Sequence, residues 1–267
     1  DVEGYVDWLL RTVADGELFS DERAAYRDSF GQAWFVFDWD PTVVTVRRRG
    51  TPTIKGFPVA RRRVDKAEPG YAGRKRGEAQ FCRSIIEHAG TAQPIGLRLQ
   101  PGNGDIDELG SHAIETVQQA VDRADLPQRL SLIRVDGLGG SVPFISKCEQ
   151  AGLSYLCRFR RYRWLESSDV WPHLQGGAWR PVADSGSGPR REALELGRIQ
   201  LRAGDKSASP DGGSVEPVVP RIVVSRYRAE DAQKSGSGKE IDGWVYEMYV
   251  TDLDAMCFPA ADIVTLY

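Results

Sequence analysis

The chain has 267 residues, 41% hydrophobic and 27% charged, enough for one large domain or for one domain carrying a sizeable insertion. Its 35 Lys and Arg against 38 Asp and Glu leave a formal net charge of −3, so bulk basicity does not make it a nucleic-acid binder and any grip on a polyanion must come from local clusters. No run of 18 apolar residues and no signal peptide is visible, which speaks against a membrane span and a secretory route.

Apolar residues at Val2, Tyr5, Val6, Leu9, Leu10 and Val13 predict an amphipathic helix over 2–15, and Ser20 is placed to cap a second one running to about Phe30. The period then changes. Ala33-Trp34-Phe35-Val36-Phe37 predicts a buried strand closed by Asp38-Trp39-Asp40-Pro41-Thr42, with a further strand over Val43 to Val46. The stretch 50–78, rich in Gly, Pro and basic residues, predicts an exposed loop. Pro94 to Leu99 reads as a strand, and 107–124 as a helix with Ile114, Val117 and Val121 inward. Leu130 to Val135 is a strand ending on Asp136, followed by the turn Gly137-Leu138-Gly139-Gly140. A helix from Ser141 to Gln150, stopped by Gly152, and a strand over Ser154 to Phe159 complete one βαβ unit. Beyond about residue 166 the chain turns Gly-, Ser- and Pro-rich, with short apolar runs at Ile199 to Leu201, Val218 to Val224 and Trp244 to Val250, a loop-rich β region. The Ser-Gly-Ser-Gly tracts at 185–188 and 235–238 read as mobile loops. Phe258 to Asp262 opens a helix with Pro259 in its first position. The start at Asp1 and the apolar end, Ile263 to Tyr267, both read as cut from something longer.

The cysteines, Cys82, Cys148, Cys157 and Cys257, form no CxxC and share no metal-ligand spacing with His88, His112 or His173. They read as reduced, mostly buried thiols of a cytosolic protein. The turn at 137–140 lacks the spacing of a dinucleotide loop, since Val142 stands where the third glycine belongs.

Chemistry concentrates at acids on strand ends. Asp38 and Asp40 follow one predicted strand and Asp136 another, and the C-terminal ends of strands are where open α/β sheets bind ligands. Aspartate there also serves simply as a turn residue. Two such carboxylates on neighbouring strands can share hard divalent cations and run phosphoryl transfer. Basic residues cluster at Arg47, Arg48, Arg49, Lys55, Arg61, Arg62, Arg63, Lys66, Arg74, Lys75 and Arg76, and again at Arg158, Arg160, Arg161 and Arg163. They suit DNA phosphates, or else form a solvated surface. Phe159, Tyr162 and Trp164, interleaved with the second cluster, read as core residues on alternate strand positions.

The order of these segments resembles the DDE-class insertion-sequence transposases, in the subgroup with a β-rich insertion before the last acid. Phe35-Val36-Phe37-Asp38-Trp39-Asp40-Pro41-Thr42 is similar to that family's strand ending in Asp-x-Thr, which matches Asp40 with Thr42 and leaves Asp38 as the alternative. Ile133 to Ser141, then Gly152 to Arg158, is similar to its second motif and matches Asp136. Gly70 to Gly77 and Pro101-Gly102-Asn103 also look familiar from these enzymes. Tyr267 aligns with the Tyr that opens the third motif, whose Arg, Glu and Lys would follow it. Pro41 after Asp40 and the acidic net charge depart from the family pattern. Glu247, on the strand before that helix, is a poor substitute acid and reads as part of a solvated strand face.

The resemblance implies an α/β fold, an RNase H-like mixed sheet flanked by helices, with a β-rich insertion. The implied organisation is N-terminal helices over 1–32, the first part of the core over 33–165, the insertion over 166–250, and a return to the core over 251–267. It implies Mg²⁺-dependent cleavage and strand transfer at transposon ends, with Mn²⁺ as a substitute ion and Asp40 and Asp136 as ligands. Implied partners are double-stranded DNA, at transposon ends and target, and a second copy of the full-length protein. No membrane partner is implied, and the place is the cytoplasm, associated with the nucleoid. On this view the chain alone cleaves poorly for want of the third acid. The other readings are a non-catalytic DNA-binding relative of the same fold and a small-molecule-binding α/β domain.

Overall fold

Alternation of large apolar side chains from Trp34 to Trp39 builds the spine of the fold. In a computed structural model the described residues are 23–45, 67–69, 79–102, 104–137, 140–183, 188–202, 216–232 and 238–267. The spine is β2 (Ala33–Thr45), preceded by the two-residue β1 (Tyr26–Arg27) that pairs with it. Then come β3 (Glu68–Pro69), β4 (Ala79–His88), β5 (Gln93–Pro101), α1 (Ile106–Arg123), β6 (Ser131–Val135), α2 (Val142–Ala151) and β7 (Ser154–Arg158). The chain continues with α3 (Trp171–Gly176), β8 (Arg180–Pro181), β9 (Glu192–Arg198), β10 (Arg221–Arg228), β11 (Lys239–Ile241), β12 (Trp244–Thr251) and α4 (Ala260–Leu266).

These strands form one large sheet in the order β3-β4-β2-β6-β7-β12-β10-β9-β8, with β5 on β4 and β11 on β12. The β2–β6 and β6–β7 pairs are parallel and the rest are antiparallel. The protein is thus a mixed α/β fold, a large and mostly antiparallel sheet flanked by helices. The parallel strand β6 is buried on both faces, through Leu132, Ile133 and Val135, which is why its sequence is a continuous apolar run rather than an alternation.

Each face of the sheet has its own core. Phe35, Phe37 and Trp39 of β2 point toward α1 and α2, where Leu109, Val117, Phe144 and Ile145 meet them. Trp34 and Val36 point the other way, toward Phe258, Ile263 and Leu266 of the C-terminal helix region. Helix α1 starts at Asp105, whose side chain accepts from the Asp107 amide. Helix α2 starts at Ser141, whose hydroxyl oxygen accepts from the Phe144 amide while its proton goes to Asp107. It ends at Gly152, in the left-handed region at φ 69°, a conformation that costs any residue with a Cβ. Ser141→Ala should therefore lower stability by about 1–2 kcal/mol, read as a shift of the urea midpoint with unchanged slope.

Several expectations need correction. The strand at 33 does not close at Asp38. It runs through Thr45 and merges with the strand expected over Val43 to Val46, because β4 pairs with it from Phe37 to Thr45. Pro41 is tolerated inside it because pairing with β6 has already stopped at Trp39, so one flank of the strand is open there. The second helix does not reach Phe30. Asp28 instead accepts from the amides of Phe30 and Gln32 and from the Trp34 indole, fixing a turn in which Gly31 has φ 79°. Strand β4 was not anticipated: its buried face carries Gln80, Ser84 and His88 besides Cys82 and Ile86, which blurs the hydropathy alternation. Tyr162 and Trp164 lie in a short helical turn, half-buried, and not on a strand.

The helix expected over 2–15 and the basic loop over 50–78 fall mostly or wholly outside the described residues. The four cysteines are unpaired, three of them buried and Cys257 half-buried. Among the described residues no helix is long and apolar enough to cross a membrane.

Candidate functional site

The parallel register between β2 and β6 sets the site. Asp38 sits opposite Arg134 and Trp39 opposite Val135, the last paired residues. The next residue on each strand is Asp40 and Asp136. Side chains alternate along a strand, so Asp38, Asp40, Arg134 and Asp136 all belong to the face that carries Val36 and Leu132, the face covered by α4. Asp40 and Asp136 follow directly on the last parallel pair, Trp39 with Val135, and both are exposed.

Asp38 and Asp40 have different surroundings. Both oxygens of Asp38 accept from Arg134, at 2.5 Å from Nε and 2.7 Å from Nη2. This two-point pairing occupies the carboxylate and neutralises it. Arg134 also donates to the carbonyl of Leu266 and so ties the end of α4 to the sheet. Among the described residues Asp40 accepts from the Thr42 hydroxyl at 2.7 Å. The spacing of Asp40 and Thr42, two apart on one strand face, is what makes that bond possible. Asp136 receives the Arg160 guanidinium at 3.3 Å.

Beyond Asp136 the same face holds a denser charge network. Glu247 is buried and ion-paired with both Arg158 and Arg191. It also accepts from the Tyr249 hydroxyl at 3.1 Å. Glu247 is therefore not on a solvated strand face as its sequence context suggested; sheet residues on both sides enclose it. Arg158 is held inside the fold by this pair and lies 5.8 Å from the Tyr267 ring centre. Burial, with the Asp136 charge adding to it, pushes the Tyr267 phenol up to about 12 against the opposing pull of Arg158. The last turn of α4 thereby lies within electrostatic reach of Asp136.

Of the basic residues expected to meet DNA, Arg160, Arg161 and Arg163 are exposed. Arg161 donates to the carbonyl of Arg202 and lies over the Phe159 ring. Arg47, Arg48, Arg49, Arg61, Arg62, Arg63, Arg74, Lys75 and Arg76 lie outside the described residues. Arg134 and Arg191 were not singled out by sequence. A usable signal existed for Arg134: it precedes Asp136 by two residues, as Asp38 precedes Asp40, so a parallel register aligns both pairs.

The donor chemistry fits a hard divalent cation. Mg²⁺ takes carboxylate oxygens and keeps several waters, and Asp40, within β2, and Asp136, just past β6, offer exposed hard oxygens. Among the described residues no group of three or more His, Cys, Asp or Glu is placed to hold a metal ion.

No protein-family model matches the chain, and no curated protein matches it. Among solved structures, the piggyBac transposase in a synaptic complex with hairpin DNA is similar at 14% identity and a TM-score of 0.40, over 87% of this chain and 37% of that one.

Proposed function

We propose that this chain forms the metal-binding face of a DDE-class DNA transposase, an RNase H-like domain that cleaves and joins phosphodiesters at transposon ends. The observation that carries this reading is the position of Asp40 and Asp136, each one residue past the last paired position, Trp39 with Val135, of adjacent parallel strands. Three antiparallel strands, β5, β4 and β2, lead into the parallel pair β6 and β7, an arrangement that suits an RNase H-like core. In this reading 33–165 is the first part of that core and 251–267 returns to it. The segment 166–250 is the insertion, hydrogen-bonded into the same sheet through β12.

A bound pair of Mg²⁺ ions would supply activation of the attacking oxygen and stabilisation of the leaving one. Asp40 and Asp136 would hold the ions, and Thr42, which donates to Asp40, would orient it. Asp38 stays paired with Arg134 and positions α4. Water attacks the phosphorus at the transposon end and the 3′-oxygen of the broken bond leaves. That 3′-hydroxyl then attacks a phosphodiester of the target duplex, and the target's own 3′-oxygen leaves as the new bond forms. Exposed Arg160, Arg161 and Arg163, with the basic residues between Arg47 and Arg76, neutralise the backbone phosphates. The partners are double-stranded DNA and, in the full-length protein, a second copy.

The test is a Mn²⁺ titration of the chain, with free ion read by electron paramagnetic resonance. Loss of a residue that merely orients a metal ligand costs roughly 10–100-fold in affinity. Asp40→Asn and Asp136→Asn, which remove ligands, should each weaken Mn²⁺ binding by at least about tenfold. Asp38→Asn should leave it nearly unchanged. Equal affinity in the wild-type chain and Asp136→Asn rules the reading out.

A further inference from the structure

Arg160 stands between the carboxylate site and a basic cleft. The cleft has a volume of about 500 Å³ and is lined by Arg160, Arg161, Tyr162, Arg163, Trp164 and Lys239. On its other side Arg160 reaches Asp136 at 3.3 Å, with both side chains about half exposed, 56% and 50%. Gly137 makes this reach possible. A Cβ there would come within 2.4 Å of Cγ and of Nε of Arg160, so the arginine stem lies flat across a backbone that has no side chain to displace it.

The neighbouring arginines are committed elsewhere. Arg134 is fixed by Asp38 and the Leu266 carbonyl, and Arg158 by Glu247 inside the fold. The Arg160–Asp136 pair differs in kind. Its contact is long and open to water, and pairs of that type contribute little and break easily. A guanidinium also suits a phosphate as well as it suits a carboxylate.

We infer that Arg160 is an exchangeable partner which covers Asp136 until a divalent cation takes that carboxylate, and which then turns to a DNA backbone phosphate in the adjoining cleft. This rests on the reading of Asp136 as a cation ligand. The consequence is positive coupling between cation and DNA. Each removes Arg160 from the other's path, and binding linkage makes the effect reciprocal. The Arg160–Asp136 pair competes with the cation, so its removal should strengthen cation binding in the absence of DNA. For an exposed pair the size is about 2–5-fold.

Two measurements on the full chain test this. Mn²⁺ titrations without DNA compare wild type, Arg160→Gln and Asp136→Asn. Fluorescence anisotropy then gives the affinity of wild type and Arg160→Gln for a labelled duplex at fixed ionic strength, with and without Mn²⁺. Taking the ratio of the two proteins cancels what Mn²⁺ does to the duplex itself. The expected results are a 2–5-fold tighter Mn²⁺ affinity in Arg160→Gln, and a wild-type advantage in DNA affinity that grows by a similar factor when Mn²⁺ is added. Equal or weaker Mn²⁺ binding in Arg160→Gln, with Asp136→Asn clearly impaired, overturns the exchange and leaves the cation site standing. Wild-type Mn²⁺ affinity in Asp136→Asn removes the cation site, and the exchange with it.

Discussion

Replacing Glu247 by alanine is expected to cost the fold about 3–5 kcal/mol, the range seen when one partner is removed from a buried ion pair. Two guanidinium groups depend on this carboxylate. Arg158 retains 15% side-chain exposure and Arg191 31%, while Glu247 itself retains 4%. Without Glu247 both arginines face a strand interior with no counter-charge, and the Tyr249 hydroxyl loses its acceptor. Arg191 can turn partly to water, so the lower end of the range is the better expectation. Removing Glu247, Arg158 and Arg191 together for apolar residues of similar volume should cost much less than the single change, since the charges then disappear with their desolvation. Urea denaturation of the single and triple variants measures both. A loss below about 1 kcal/mol for Glu247→Ala would mean that the network is solvated and contributes as a surface pair does.

Asp136→Asn and Asp38→Asn should fail in opposite ways, although the two aspartates sit on adjacent strands of one face. Asp136 is half exposed, and its contact with Arg160 is long. Its amide variant should keep stability within about 0.5 kcal/mol and keep DNA affinity. On the proposed function, strand cleavage should fall about a thousandfold or more, the several kcal/mol of charge stabilisation that a bound cation supplies. Asp38 has the reverse profile. Its amide cannot accept at both atoms from Arg134, so the variant should lose about 1–2 kcal/mol of stability and loosen the Leu266 end of α4 while Mn²⁺ binding persists. Gel-based cleavage of a labelled transposon-end duplex, set beside thermal melts of the same proteins, separates the two. Cleavage at the wild-type rate by Asp136→Asn would end the transposase reading. Wild-type stability in Asp38→Asn would end the positioning role of the Asp38–Arg134 pair.

The sequence carried the local elements well where one physical signal dominated. Helix α2 was bounded by Ser141 and Gly152 because a hydroxyl cap and a left-handed glycine are written in single residues. Strand β6 was legible from an apolar run that only burial on two faces explains. Asp40 and Asp136 could be named because each closes an apolar run and each fits a motif of the resembled family. Strand β4 escaped notice since Gln80, Ser84 and His88 share its buried face, and their polarity is accommodated by neighbours that are distant in sequence. Trp39, for example, donates to Ser84 at 2.9 Å across 45 residues.

What sequence alone determined, then, is the βαβ unit and the short strands of the later half, because these depend on residues near one another in the chain. Tertiary structure decided which carboxylates are available. The β2–β6 register places Arg134 on Asp38 and leaves Asp40 exposed, while Arg158 of β7 and Arg191, just before β9, close on Glu247 of β12. The reason is that a carboxylate's role follows from the charge that stands next to it, and here that charge comes from another strand, 96 residues away for Asp38 and 89 for Glu247.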